Sequence, residues 1–126
     1  MKIKIKRNPF INFPQKQLNE KNRIINLSQL NLCEELKPIS SYIIKNTNLT
    51  ELDLYYNKID SDSVKYLLNS IKGKTTLKSL NFGFNNLGTD GTKTFFGNYQ
   101  EKNLTYLYIG GNKIKEQGVE LLLFFF

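Results

Sequence analysis

LTELDLYYNKIDSDSVKYLLNSI (residues 49–71), LKSLNFGFNNLGTDGTKTFFGNY (residues 77–99) and LTYLYIGGNKIKEQGVELLLFFF (residues 104–126) are three copies of one pattern. Leu49, Leu52, Leu54, Asn57 and Ile59 recur as Leu77, Leu80, Phe82, Asn85 and Leu87, and again as Leu104, Leu107, Ile109, Asn112 and Ile114. The offsets are 28 and then 27 residues. A fixed period of that size marks a solenoid, in which each unit buries its apolar side against its neighbours. It moves the functional question from a catalytic group to an exposed surface.

Each unit changes period part-way. Leu52 and Leu54 alternate with Glu51, Asp53 and Tyr55, which predicts a strand with one buried face. Val64, Leu67, Leu68 and Ile71 follow at helical spacing, as do Thr92, Phe95, Phe96 and Tyr99, then Val119, Leu122, Leu123 and Phe126. Ser61 or Asp62, and Thr89, are the expected helix caps, because their side-chain oxygens can accept free N–H groups at a helix start. The expected fold is α/β: a solenoid with a parallel sheet on one side and helices on the other. A weaker unit precedes the three, with Leu27, Leu30 and Leu32, then Leu36, Ile39 and Ile43. In it Glu35 takes the place of the Asn, and a helix is expected over 38–46 with Pro38 in its first turn. The chain thus divides into a basic arm or cap (1–26) and a repeat domain (27–126) made of a degenerate repeat (27–48) and repeats 49–76, 77–103 and 104–126.

The spacing LxxLxLxxNxIxxxxxxxxLL, with Gly91 and Gly118 six residues after the repeat Asn and Ser63 in that place in the first full unit, resembles the ribonuclease-inhibitor-like class of leucine-rich repeats. That class includes the repeat domains of NOD-like receptors and Ran GTPase-activating proteins. The resemblance covers residues 27–126 and speaks to the fold far more than to function, since one scaffold serves many roles. It implies that a protein partner meets the concave sheet face. The strand positions between the leucines supply that face: Glu51, Asp53, Tyr55 and Tyr56, then Lys78, Ser79, Asn81 and Phe84, then Thr105, Tyr106 and Tyr108, with Gln29 and Asn31 extending it. Of these, Glu51, Asp53, Tyr55, Tyr56, Asn81, Phe84, Tyr106 and Tyr108 are the candidate partner-binding residues. Tyrosine offers a large rigid surface with a polar tip, which suits a binding hot spot; the same rings could equally stack and merely cover the sheet.

Asn57, Asn85 and Asn112 are expected to form a buried structural ladder, each amide bonding backbone groups that the turn leaves unpaired. Catalysis finds little support. The chain has no histidine and a single cysteine, Cys33, which pairs with no obvious base. Neither a zinc site nor a phosphate loop is legible, so no cofactor and no metal are expected. A role in regulating a GTPase or a ubiquitin pathway rests on analogy alone.

Charge is uneven. Residues 1–25 carry seven basic side chains against Glu20 alone, a net +6, whereas the rest carries eleven against ten, a net +1. The arm reads as a cap on the first repeat, as a site for an anionic partner such as nucleic acid or a membrane surface, or as a transit peptide. The sequence shows no membrane span and no secretory signal, and the lone cysteine suits a reducing, cytoplasmic setting. The sequons at Asn26, Asn48 and Asn103 are therefore read as unglycosylated. Finally, Leu121, Phe124 and Phe125 lie outside the core pattern. With no polar capping segment after them, they predict an exposed apolar end, and with it a repeat array cut short, self-association or a place in a larger assembly.

Overall fold

The computed structural model describes residues 19–125. Most of the arm, where the cap, anionic-partner and transit readings fall, and Phe126 lie outside them. Strand and helix alternate four times: β1 (Ile24–Asn26), α1 (Leu36–Lys45), β2 (Glu51–Asp53), α2 (Val64–Ile71), β3 (Ser79–Asn81), α3 (Gly88–Asn98), β4 (Tyr106–Tyr108) and α4 (Glu116–Phe125). The strands form one parallel sheet in the order β1-β2-β3-β4. The expected α/β leucine-rich-repeat solenoid is the fold.

The register fixes which residues are equivalent. Leu52 lies opposite Leu80, and Leu80 opposite Leu107, so the strand leucines form one inward column. Leu49, Leu52, Leu54, Ile59, Leu77, Leu80 and Phe82 are essentially inaccessible to solvent. α2 contributes Val64, Leu67 and Ile71 to the same core, and α3 contributes Phe95 and Phe96. α3 holds no leucine, so its aromatic residues fill the volume. Phe95 meets Phe82 at 4.9 Å between ring centroids, Phe96 edge-on at 5.1 Å and Tyr99 stacked at 5.3 Å.

In the first repeat the structure departs from the expected register. Ile25, not Leu30, stands opposite Leu52, and the Leu27 N–H donates to the Asp53 carbonyl at 2.8 Å. Leu27 is therefore the counterpart of Leu54, and β1 lies inside the segment the sequence reading gives to the arm. Counting back the 27-residue offset puts Asn22 in the place of Leu49 and Leu30, rather than Glu35, in the place of Asn57. The reason is physical. Each ladder Asn serves mainly the turn of the repeat before it, and the first repeat has none before it, so an apolar Leu30 is tolerated there.

Helix starts also differ. Ser63 stands at the N-cap of α2 without a side-chain cap bond, and the side-chain bonds at this end come from Asp60 in the preceding turn, not from Ser61 or Asp62. Asp60 Oδ1 accepts the N–H groups of Asp62 (3.1 Å) and Ser63 (2.8 Å), while the Asp60 N–H donates to Ser63 Oγ at 2.9 Å. This reciprocal pair closes the extra turn that precedes the helix. Thr89 lies inside α3, where its buried hydroxyl bonds no described group. At the far end, Val119 and Leu123 of α4 are 47% and 77% exposed instead of joining the core, and Leu122 packs partly against it.

A second row of bonds joins the repeats behind the strands. Asn46 Nδ2 donates to the Asn22 carbonyl at 2.7 Å, and Asn103 Nδ2 to the Leu77 carbonyl at 2.5 Å. Between them, the buried Lys74 Nζ donates to the carbonyls of Ile44 (3.2 Å) and Asn46. Burial holds the Lys74 amine below its usual 10.5, and burial with the nearby Glu101 pushes the Tyr99 phenol up to about 12. The signs oppose. Approaching pH 10.5, the unfolded chain holds the lysine proton more firmly than the folded one, so stability rises with pH. From pH 10 toward 12 the unfolded chain releases its tyrosine proton first, so stability falls. Thermal midpoints between pH 8 and 12 are expected to rise and then drop, with Tyr99→Phe flattening the drop and Lys74→Gln the rise.

Candidate functional site

The register sorts the outward strand positions into rows. Glu51, Ser79 and Tyr106 are direct neighbours across β2, β3 and β4, and so are Asp53, Asn81 and Tyr108. On β1 these rows continue with Ile24 and Asn26. Gln29 and Asn31, expected at that edge, belong instead to the turn beyond it.

The second row is tied to the backbone. Asn26 Oδ1 accepts the Ser28 N–H at 2.9 Å, Asp53 Oδ1 the Tyr55 N–H at 2.9 Å and Asn81 Oδ1 the Gly83 N–H at 3.1 Å. Each carboxylate or amide thereby fixes the direction in which its strand leaves the sheet. In the fourth repeat Tyr108 takes this place, and its ring lies against Gly83, just beyond β3. A Cβ at Gly83 would fall 2.3 Å from two of the Tyr108 ring carbons, so the ring has room only because residue 83 has no side chain.

One step along the turn, Gln29, Tyr56, Phe84 and Gly111 have φ of 59°, 55°, 51° and 71°, all left-handed. Glycine adopts this conformation freely, whereas Tyr56 and Phe84 hold it against a cost of about 1–2 kcal/mol each. What offsets it is ring packing. Tyr55 meets Phe84 at 5.4 Å and Tyr56 at 6.2 Å, and the Phe84 ring lies against Gly111, where a Cβ would come within 2.9 Å. Tyr55, Tyr56 and Phe84 thus form one aromatic cluster, with Phe84 over Gly111 and with Tyr108 over the adjacent Gly83. Tyr56 remains 56% exposed and Phe84 47%. Tyr106 is 53% exposed and stands apart in the first row, beside Ser79. These two glycines escaped the sequence reading. Their one signal is that Gly83 and Gly111 occupy the places of Tyr55 and Tyr56 in later repeats.

Beneath this face lies the asparagine row. Asn57, Asn85 and Asn112 are buried. Asn85 Oδ1 accepts the N–H groups of Asn57 and Ile59, both at 2.9 Å, and its Nδ2 donates to the carbonyls of Phe82 (2.8 Å), Leu54 (3.0 Å) and Gly83 (3.2 Å). Asn57 reaches Leu27, Leu30 and Leu32 in the same way, and Asn112 reaches Phe82 and Leu87. These side chains hold the turn and leave the face above them to the aromatic residues.

Cys33 sits half-buried on the helix side of the turn, its Sγ 3.5 Å from Asp60 Oδ2 and 3.8 Å from Ser63 Oγ. Burial and the Asp60 charge push the thiol up from its ordinary value, which favours its protonated form. Among the described residues no cluster of three or more metal-ligating side chains occurs. No helix among them is long and apolar enough to cross a membrane.

A family model described as "Leucine Rich repeat" matches residues 45–68, 73–96 and 101–123, together more than half of the chain. Among solved structures, one titled "Leiomodin-1 Actin-Binding Site 2 (ABS2)" superposes with a TM-score of 0.68 at 19% sequence identity. The match covers 84% of this chain and 65% of that one. No curated protein matches the sequence.

Proposed function

This chain belongs to the leucine-rich-repeat family, and from that premise we propose that it is a non-catalytic module binding a protein partner on its concave sheet face. The observation that carries the reading is the aromatic surface of Tyr55, Tyr56, Phe84 and Tyr108, which keeps much of its area in solvent on a rigid sheet. Rigid aromatic rings lose little entropy on contact and dominate many interfaces. Glu51, Asp53, Asn81 and Tyr106 complete the binding face with polar and aromatic neighbours in register. Leiomodin-1, whose structure is titled for an actin-binding site, shares the fold, which makes a protein ligand the partner class to test first. The period of 27–28 residues supports placement in the ribonuclease-inhibitor-like class, with the basic arm ending near Asn22 and the repeats beginning there. The lone cysteine favours a cytoplasmic site.

Affinity capture with the native chain and with Tyr55→Ala/Phe84→Ala/Tyr108→Ala tests the reading. The variant is expected to lose the specific partner while keeping its circular dichroism. Undiminished capture by the folded variant sinks the concave-face assignment. A second reading rests on the net +6 of residues 1–25, which suits an anionic partner such as nucleic acid or a membrane surface. Removing residues 1–18 is then expected to abolish a salt-sensitive binding that the aromatic variant retains.

A further inference from the structure

The two outward rows of the sheet are occupied differently. In the second, Asn26, Asp53 and Asn81 each accept a backbone N–H, and the Tyr108 ring is laid against Gly83. In the first, Ile24, Glu51, Ser79 and Tyr106 stand side by side across β1, β2, β3 and β4. Among the described residues, no ion pair or side-chain hydrogen bond engages Glu51, Ser79 or Tyr106. Ile24 is 59% exposed and Tyr106 53%, and Glu51 is exposed as well. Ser79 is small and half-buried, so it leaves a low floor between the Glu51 carboxylate and the Tyr106 ring. Two strand spacings separate those walls, about 9.6 Å from backbone to backbone.

Charge narrows what can fill this slot. The chain is +7 overall, yet of the outward strand positions only Glu51 and Asp53 are charged, and both are acidic. Basic residues stand before the strands, at Arg23 and Lys78, and in the turns beyond them, at Lys58 and Lys113. A partner drawn by net charge alone would be an anion, and the two carboxylates would repel it from the centre of the face. A cation there is matched by both.

We propose that the first row takes an arginine of the partner protein, laid over Ser79 with its guanidinium paired to Glu51 and stacked on Tyr106, and that Ile24 meets an apolar residue beside that arginine. Arginine suits a carboxylate and an aromatic ring on opposite walls of one floor. Its planar head offers two N–H donors along an edge and a face for the ring, whereas an ammonium is a point charge with no face to stack. Asp53, about 6.6 Å further along β2, adds negative charge to the same site. This assignment gives the concave-face partner its chemistry and rests on that face being the binding face.

The probe is an end-blocked leucine–arginine–leucine peptide, titrated into the isotopically labelled full chain and followed by NMR. Saturable shifts are expected at the amides of Glu51, Ser79 and Tyr106. Citrulline in place of the arginine keeps the shape without the charge and is expected to weaken binding about tenfold. Lysine in its place is expected to weaken it about threefold. Glu51→Gln is expected to erase the preference for arginine over citrulline. Tyr106→Leu is expected to weaken the arginine peptide about threefold, with Tyr106→Phe restoring it. Both side chains are exposed, so these variants keep the fold. No saturable shift at those amides, arginine and citrulline peptides that bind alike, or a preference that survives Glu51→Gln would each overturn the proposal. A peptide that binds only once residues 1–18 are removed would put the chain's own arm in the slot and overturn the assignment to a partner. None of these failures touches the concave-face reading, which partner capture by the Tyr55→Ala/Phe84→Ala/Tyr108→Ala variant decides separately.

Discussion

Asn85→Ala is expected to destabilise the protein by about 3 kcal/mol, read as a fall in the denaturation midpoint with an unchanged m-value. The size follows from what the amide holds. Its oxygen accepts from Asn57 and Ile59, and its nitrogen donates to three carbonyls in two repeats. At 6% exposure, water cannot readily replace these bonds, and each buried group left unpaired costs about 1–3 kcal/mol unless the turn relaxes. The position couples repeats three and two, so the loss should propagate: hydrogen exchange is expected to quicken at Asn57 and Ile59 as well as at the mutated turn. Asn112→Ala should cost less, because its oxygen accepts only one longer bond, from the Leu87 N–H at 3.3 Å. Equal losses at the two sites would contradict a ladder in which each rung serves the turn before it.

Phe95→Ala is expected to cost about 3–5 kcal/mol, the largest effect of any single truncation proposed. Phe95 is fully buried and its ring touches Phe82, Phe96 and Tyr99. These four rings tie α3 to β3, where other repeats use aliphatic side chains. A cavity there cannot be filled by a small shift, because its walls are planar rings with fixed preferred contacts. Phe95→Leu restores most of the volume and is expected to recover more than half of the loss. If Phe95→Ala shifted the thermal midpoint no more than a surface substitution, the aromatic core of α3 would be wrong. For a small repeat protein a loss of this size approaches the whole stability, so the variant is studied folded at lower temperature.

Much of the fold was legible from alternation and period. Leu52, Leu80 and Leu107 announced an inward column, and the register joins those residues. The outward rows were legible by the same alternation, since whatever does not face the core of a strand faces away from it. The first repeat was misread because leucines were counted where the strand is written Ile-Ile-Asn, and because Leu30 stands where an Asn was sought. The start of α2 was misread because the bonds from Asp60 close a turn before the helix, and four acidic or hydroxyl residues in a row, Asp60 to Ser63, make equally good caps on paper. Val119 and Leu123 fit the helical pattern but not the burial, because a pattern records which side an apolar residue is on and not whether anything packs against that side.

By itself, then, the sequence determined the repeat, its strand-turn-helix order and the sets of residues that share a face, because backbone periodicity is a local property carried by side-chain type and spacing. Only the tertiary structure decided the register of the first strand, the packing of Tyr108 over Gly83 and of Phe84 over Gly111, and the exposure of the fourth repeat. Those features depend on what the adjacent repeat presents across a gap of a few ångströms, and residues 27 or 28 places apart in the chain become neighbours only when the solenoid stacks.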